Sequence, residues 1–126
     1  MGVGSMTPAE QLKLAKKHLE RVQAATWEPD WDDLSLYGFY CLECAVSAAA
    51  MHAGIPLART HPSKADAADV LAAKHGLPAV SDLLRDLNAA RKAAAYGDVE
   101  RPDLDPEDVA ADIEKYVQAV ERFLEH

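Results

Sequence analysis

The architecture of this protein rests on one segment, Leu34 to Ala53, with the sequence LSLYGFYCLECAVSAAAMHA. As a helix it is apolar nearly all round, and Gly54 follows it as a suitable C-terminal residue. A helix of that kind is the buried, central helix of a bundle. Because the segment carries Glu43 and His52 and is rich in alanine, we do not expect it to span a membrane, and we expect no membrane partner.

Four further helices are predicted around this segment, each bounded by prolines, glycines or capping residues. They cover about residues 8–25, 63–75 and 80–96, and a last one follows Asp105-Pro106. The seven prolines fall between helical segments or in their first turns, since proline disrupts a helix interior. The sequence therefore predicts an all-α protein, an antiparallel bundle of about five helices.

The predicted bundle is one domain, residues 8–126, as a chain of 126 residues supports. We expect residues 1–7 to be a disordered tail or a cloning scar. Residues 26–33 are predicted to be a linker whose two tryptophans, Trp27 and Trp31, pack against the bundle. Residues 98–105 are predicted to be a polar loop.

The composition excludes several classes of protein. Hydrophobic residues make up 49% of the chain and charged residues 27%, which excludes wholesale disorder. Aromatic residues are only 6%, whereas alanine and leucine are abundant, so an all-β fold is disfavoured. The formal net charge of −8 disfavours a protein that binds nucleic acid over its whole surface, because such proteins are usually basic.

Cys41 and Cys44 form a CxxC pair in the middle of a predicted helix. A zinc site would need further ligands, and thioredoxin-like chemistry needs the motif at a strand–helix junction. The histidines show no HExxH pattern either. We therefore expect buried, reduced thiols in a cytoplasmic protein, with neither a metal nor a cofactor.

In the predicted helix 80–96, Arg91 falls within the apolar stripe, with Asn88 at its margin. The stripe consists of Val80, Leu83, Leu84, Leu87 and Ala94. An arginine there should meet a carboxylate or border a cleft, unless its aliphatic stem extends towards water. Glu43 is the one carboxylate of the central helix, so we predict a structural ion pair between Glu43 and Arg91. The alternative is that Glu43 lies on an exposed flank.

Several short motifs follow one another along the chain. They are Glu43-Cys44-Ala45-Val46, Gly54-Ile55, Thr60-His61, Leu87-Asn88-Ala89-Ala90-Arg91 and Tyr96-Gly97. In order and spacing they resemble the HEPN family (higher eukaryote and prokaryote nucleotide-binding domains), over about residues 8–125. The resemblance implies a small antiparallel helical bundle, often dimeric. Many members are metal-independent ribonucleases of toxin–antitoxin, abortive-infection and CRISPR-related systems.

The resemblance also implies a catalytic motif, from which this sequence departs at one position. The ribonuclease members share an arginine, a polar neighbour, a short spacer and a histidine. Arg91 and Lys92 match the first two, but Tyr96 stands where the histidine is expected. A phenol, with a pKa of about 10, is a poor proton acceptor at neutral pH. Catalysis by Arg91 and Tyr96 is therefore expected to be weakened, lost or replaced by binding, although the arginine can still stabilise phosphate charge.

A second polar cluster, residues 59–64, joins the second and third predicted helices. Ser63, Lys64 and the N–H groups that begin the third helix form a candidate anion site, with an ordinary Ser or Thr cap as the alternative. His61 in this cluster is a candidate to replace the missing motif histidine. The predicted nucleotide- or RNA-binding residues are Asn88, Arg91, Lys92, His61 and Lys64.

Three functional hypotheses remain open at this point. The first is a homodimeric HEPN-like module that binds nucleotide or RNA near Arg91 with weak or no nuclease activity, and whose second and fourth helices form the dimer contact. The second is an active endoribonuclease using Arg91, Asn88 and either Tyr96 or His61, partnered by an antitoxin or a nucleotidyltransferase. The third is a purely structural, protein-interaction bundle.

Overall fold

The computed structural model describes residues 6–27, 30–97 and 104–126. In these ranges the chain forms five α-helices and no β-strand, which confirms the predicted all-α bundle. The helices are α1 (Pro8–Trp27), α2 (Trp31–Ala53), α3 (His61–His75), α4 (Ser81–Tyr96) and α5 (Pro106–Leu124). The predicted tail and the predicted polar loop, residues 1–7 and 98–105, lie mostly outside the described residues.

α2 begins earlier than predicted, at Trp31 instead of Leu34. The Asp30 carboxylate explains the difference, because its Oδ1 accepts hydrogen bonds at 3.1 Å from the backbone N–H groups of Asp32 and Asp33. A side chain that satisfies these otherwise unpaired donors stabilises a helix N-terminus by about 1 kcal/mol. The connection between α1 and α2 is therefore shorter than the linker that the sequence predicted.

The two tryptophans beside this connection differ in their packing. Trp31 is half-buried against the core, whereas Trp27 is 88% exposed. The prediction that both tryptophans pack against the bundle is thus wrong for Trp27. Trp27 comes two residues after the buried Ala25, so it lies about 200° round the helix from it, on the solvent side.

α3 also begins earlier than predicted, at His61 instead of Ser63. Thr60 caps the helix, since its hydroxyl accepts a hydrogen bond from the Ser63 N–H at 3.3 Å, and Pro62 lies in the first turn. The Ser63 hydroxyl accepts a hydrogen bond from the Ala58 N–H at 2.9 Å. The ordinary cap, one of the two predicted alternatives, is therefore present, and it places His61 in the first turn of α3.

α2 is the central helix, as predicted, and contacts each of the other four helices. The largest fully buried side chains of the core are Tyr116, Phe39, Leu34, Leu42, Leu71, Leu87 and Ile113.

Among the described helices, α2 alone is long and apolar enough to cross a bilayer, but 72% of its most apolar stretch is buried inside the bundle. This burial is typical of the core helix of a soluble protein.

The apolar stripe of α4 packs into the core and contacts α2. Leu87 and Ala90 are buried, whereas Ala94, which was predicted to belong to the stripe, is exposed. Ala90, three residues after Leu87, is buried, whereas Ala94 lies on the same side of the helix but only two residues before its end at Tyr96. Asn88 and Arg91 are both half-buried, at the edge of this stripe.

Tyr116 on α5 is completely buried, and its hydroxyl has no hydrogen-bond partner among the described residues. Burial raises the pKa of this phenol well above its ordinary value, because the charged form would lose its hydration. A buried hydroxyl without a partner costs about 1–3 kcal/mol. The aromatic ring therefore stabilises the folded core, and the hydroxyl group destabilises it.

We expect Tyr116→Phe to raise the free energy of unfolding by about 1 kcal/mol, because it removes the unpaired hydroxyl and keeps the ring. Urea unfolding followed by circular dichroism measures the change. Tyr37→Phe, at a half-buried position on α2, is the control and should change the free energy by less than about 0.5 kcal/mol. A loss of stability in Tyr116→Phe would contradict the assignment of an unpaired hydroxyl.

Candidate functional site

Glu43 is a buried carboxylate in the middle of α2, with only 8% of its surface exposed. Its Oε2 atom lies 2.6 Å from His61 Nδ1 and 3.8 Å from Lys64 Nζ. A carboxylate taken out of water is costly unless it is paired and hydrogen-bonded, and both partners come from the start of α3. Glu43 therefore holds the N-terminal end of α3 against α2.

His61 connects this carboxylate to Arg91 on α4. The second ring nitrogen, Nε2, lies 3.3 Å from Arg91 Nη2. A guanidinium can only donate hydrogen bonds, so Nε2 accepts, and the proton of the ring lies on Nδ1, which donates to Glu43. The hydrogen-bond pattern thus assigns a neutral imidazole in one tautomer.

The structure corrects the predicted direct ion pair between Glu43 and Arg91. The two charged groups each contact the imidazole of His61, on opposite ring nitrogens, rather than each other. The reason is that the connection after α2 brings the first turn of α3 back to the middle of α2. The alternative prediction, an exposed Glu43, is wrong because the side chain is buried.

Arg91 is held in position by an aromatic ring as well as by His61. Its guanidinium carbon, Cζ, lies 4.8 Å from the ring centroid of Phe39, in a cation–π contact. The Phe39 ring in turn meets the His61 ring edge-on, with 5.0 Å between centroids. Arg91 Nε is buried and has no hydrogen-bond partner among the described residues. The side chain therefore has more donors than partners in the protein.

His61 and Asn88 both line a cavity of about 220 Å³. Its apolar walls are Phe39, Pro62, Ala65 and Leu84. Asn88 lies about one helical turn before Arg91. Its Oδ1 atom is buried, and no described residue donates a hydrogen bond to it. A cavity with apolar walls on one part of its lining thus lies beside a positively charged group.

Lys64, Lys92 and Tyr96, which were also predicted as site residues, contribute less to the geometry around Arg91. Lys64 contacts Glu43, so its charge is partly used inside the protein. Lys92 is exposed and forms no ion pair with a described residue. Tyr96 is the last residue of α4, but its side chain lies outside the part of the chain that the structure describes. The catalytic role of Tyr96 stays a prediction.

The two cysteines of α2 are free thiols without the features of a reactive pair. Burial raises the pKa of Cys44 to about 11 and that of the more deeply buried Cys41 further. The Cys41 thiol also donates to the Ala15 carbonyl at 3.2 Å. Thiolates, the nucleophilic and metal-binding form, are therefore disfavoured. Among the described residues there is also no group of three or more His, Cys, Asp or Glu that could hold a metal ion.

Sequence analysis missed three residues of the site: Phe39, Asp66 and Arg85, all of which line the cavity. A signal for Phe39 was present, because it precedes Glu43 by four residues and so lies on the same face of α2. Asp66 and Arg85 lie on α3 and α4, and the rotation of these helices about their axes is set by packing. No pattern in the sequence reports that rotation.

The arrangement suits two kinds of chemistry. Arg91 supplies a fixed positive charge and a planar set of donors for an anion, and the nearby Lys64 offsets the charge of Glu43. His61 supplies a ring nitrogen with a free electron pair once Arg91 donates its hydrogen bond to a ligand instead.

A scan of protein-family models and searches of curated proteins and solved structures each found no match to this chain. Function is therefore inferred from the site itself.

We expect Glu43→Gln to lower the free energy of unfolding by about 1–2 kcal/mol. The neutral amide attracts Lys64 less and forms a weaker hydrogen bond with His61 than a carboxylate does. Urea unfolding measures the change, with the exposed Glu20→Gln on α1 as a control of equal charge change. Equal stability of the two variants would contradict a stabilising role of the Glu43 contacts.

Proposed function

We propose that this protein is a HEPN-like module that binds a phosphate-bearing ligand, a nucleotide or RNA, at Arg91, with weak or no cleavage. The observation that carries the proposal is the half-buried guanidinium held between Phe39 and His61, with a buried Nε donor that no described residue accepts from. The planar donors of arginine suit phosphate oxygens. The order of the sequence motifs around Glu43, His61 and Arg91 supports the family resemblance.

The surroundings of Arg91 favour a phosphate joined to an apolar, ring-shaped group over a simple inorganic anion. Four of the eight residues that line the cavity beside it are apolar, and a hydrated inorganic ion would not use them. A nucleotide offers both parts, with its phosphate at Arg91 and a less polar group in the cavity. The third hypothesis, a purely structural bundle, gives no role to an Arg91 guanidinium whose one hydrogen bond among the described residues is to His61.

The proposal includes a homodimer through α2 and α4 and a cytoplasmic location. Most apolar side chains of α2 are buried within the chain, so the dimer contact would rely on exposed ones such as Tyr40 and Met51, each 38% exposed. Free thiols, buried at Cys41 and half-buried at Cys44, suit a reducing compartment. An antitoxin or nucleotidyltransferase partner belongs only to the ribonuclease hypothesis.

We expect Arg91→Ala to weaken binding of a fluorescent 12-nucleotide RNA of mixed sequence by about tenfold or more, because charge-assisted hydrogen bonds to phosphate are lost. Fluorescence anisotropy measures the affinity. Lys115→Ala removes an exposed positive charge on α5 and is the matched control, with an expected change below about twofold. Circular dichroism confirms that each variant is folded.

Two results of this experiment would contradict the proposal. If wild type binds neither the RNA nor mononucleotides at millimolar concentration, the structural bundle is the better hypothesis. If Arg91→Ala and Lys115→Ala weaken binding equally, the RNA responds to net charge and not to a site at Arg91.

A specific observation also favours a second candidate function, metal-independent RNA cleavage with His61 as the base. Glu43 orients the imidazole through Nδ1, so that Nε2 carries the electron pair and faces Arg91. If a phosphate draws the Arg91 guanidinium away, Nε2 can accept the proton of a neighbouring 2′-hydroxyl, while Arg91 stabilises the phosphate charge. The hydroxyl oxygen then attacks the phosphorus, and the 5′-oxygen of the next nucleotide leaves with a proton from solvent.

The ribonuclease candidate predicts that wild type cuts the same RNA to products ending in a 2′,3′-cyclic phosphate. His61→Ala should then slow cleavage by about 100-fold or more, since general base catalysis contributes at least that factor. Gel electrophoresis of end-labelled RNA measures the rate, with Lys115→Ala as the control expected to match wild type. Intact RNA after prolonged incubation with wild type would exclude this candidate and leave the binding module.

A further inference from the structure

His61 lies between two groups of opposite charge, and its own charge can change near neutral pH. Its Nδ1 atom lies 2.6 Å from Glu43 Oε2, and its Nε2 atom lies 3.3 Å from Arg91 Nη2. The side chain is 46% exposed, so protons from solvent reach the ring. Histidine is the side chain that ordinarily gains or loses a proton between about pH 5 and 8.

A proton on Nε2 would reverse the relation between His61 and Arg91. In the structure Nε2 accepts a hydrogen bond from the guanidinium, the one hydrogen bond that Arg91 forms among the described residues. In a protonated imidazole both ring nitrogens are donors, so an N–H group would face the donors of Arg91. Two cations would then lie side by side. Arg91 therefore disfavours the charged ring, whereas the carboxylate of Glu43 favours it.

The other charged groups around His61 offset one another. Lys64, on the same helix, lies 3.8 Å from the Glu43 carboxylate. Asp66 on α3 and Arg85 on α4 line the cavity together with His61. A phosphate that enters beside the ring changes this balance, because it brings negative charge close to Nε2.

We propose that His61 takes up a proton from solvent when a phosphate binds at Arg91, and that the charged ring then holds the phosphate together with Arg91; this inference rests on the proposed function. Nδ1 keeps its hydrogen bond to Glu43, the guanidinium turns from Nε2 to the phosphate, and the new Nε2–H donates to a phosphate oxygen. Hydrogen bonds between charged groups of this kind are the strong ones. The proton also occupies the electron pair that a general base needs, so the protein in this state binds RNA without cutting it.

Binding of a fluorescent 12-nucleotide oligouridylate at pH 6 and at pH 7.5 tests this inference. Neither the phosphodiesters nor the uracil bases of this RNA change charge between the two pH values. We expect wild type to bind about tenfold more tightly at pH 6, because uptake of one proton changes an affinity by up to about tenfold per pH unit. Fluorescence anisotropy at constant ionic strength measures the two dissociation constants.

His61→Gln tests the residue itself, because an amide takes up no proton in this range. Its affinity should change by less than about threefold between the two pH values. His52→Gln removes an exposed histidine near the end of α2 and is the matched control, which should keep the tenfold change of wild type. Circular dichroism at both pH values confirms that each variant is folded.

NMR titration of the ¹³C-labelled His61 ring in wild type gives a second measurement, which needs no variant. The ring should become protonated at a higher pH with the oligouridylate bound than without it. The same titration with and without the RNA would contradict the inference even if His61→Gln does not fold.

The outcomes separate this inference from the proposed function. Binding that depends on Arg91 but has equal affinity at both pH values would overturn the uptake of a proton and retain the phosphate site. A pH dependence in His61→Gln equal to that of wild type would also overturn it, since the charge of the rest of the chain would then be responsible. If wild type binds the oligouridylate at neither pH, the proposed function fails and this inference fails with it.

Discussion

The burial of a single carboxylate, Glu43, organises the candidate functional site of this bundle. α2 contacts all other helices, so a charge in its middle has little access to water and must be paired within the protein. The pairing groups, His61 and Lys64, both come from the start of α3. Satisfying Glu43 therefore fixes where α3 begins against α2, and the Thr60 cap then keeps that end of the helix in place.

The pairing of Glu43 also affects α4, because the His61 imidazole that binds Glu43 contacts Arg91 with its other nitrogen. With Nδ1 committed to Glu43, His61 can only present Nε2 to Arg91. The Arg91 guanidinium has three competing partners: His61 Nε2, the face of Phe39 and any anion that enters. A neutral imidazole is a weaker hydrogen-bond acceptor for a guanidinium than a phosphate oxygen is. The internal contacts can therefore position Arg91 and still yield to a phosphate-bearing ligand.

The sequence predicted the features that depend on neighbouring residues better than those that depend on contacts between residues distant in the chain. Local signals, such as the prolines, the caps and the apolar periodicity, predicted all five helices and the central place of α2. The periodicity also singled out Glu43 and Arg91 as charges on apolar helix faces, whereas His61 was named from the polar cluster of residues 59–64 and from the family resemblance. The sequence did not predict that His61 would lie between Glu43 and Arg91. This placement depends on the path of residues 54–60 and on the rotation of α3 about its axis. Periodicity defines the face of a helix but not the neighbour that meets it.

The acidity of the chain bears on which ligands can reach the site. At a net charge of −8, the overall field repels polyanions, and a long duplex would gain little from releasing counterions. Near the site the balance differs, because the cations Lys64, Arg85 and Arg91 outnumber the carboxylates Glu43 and Asp66 by one. A local excess of about one positive charge attracts a ligand with one or two phosphates at short range, within a Debye length of about 8 Å at physiological salt. The electrostatics thus favour a mononucleotide, or one unpaired nucleotide of a flexible single strand, over a duplex laid across the surface.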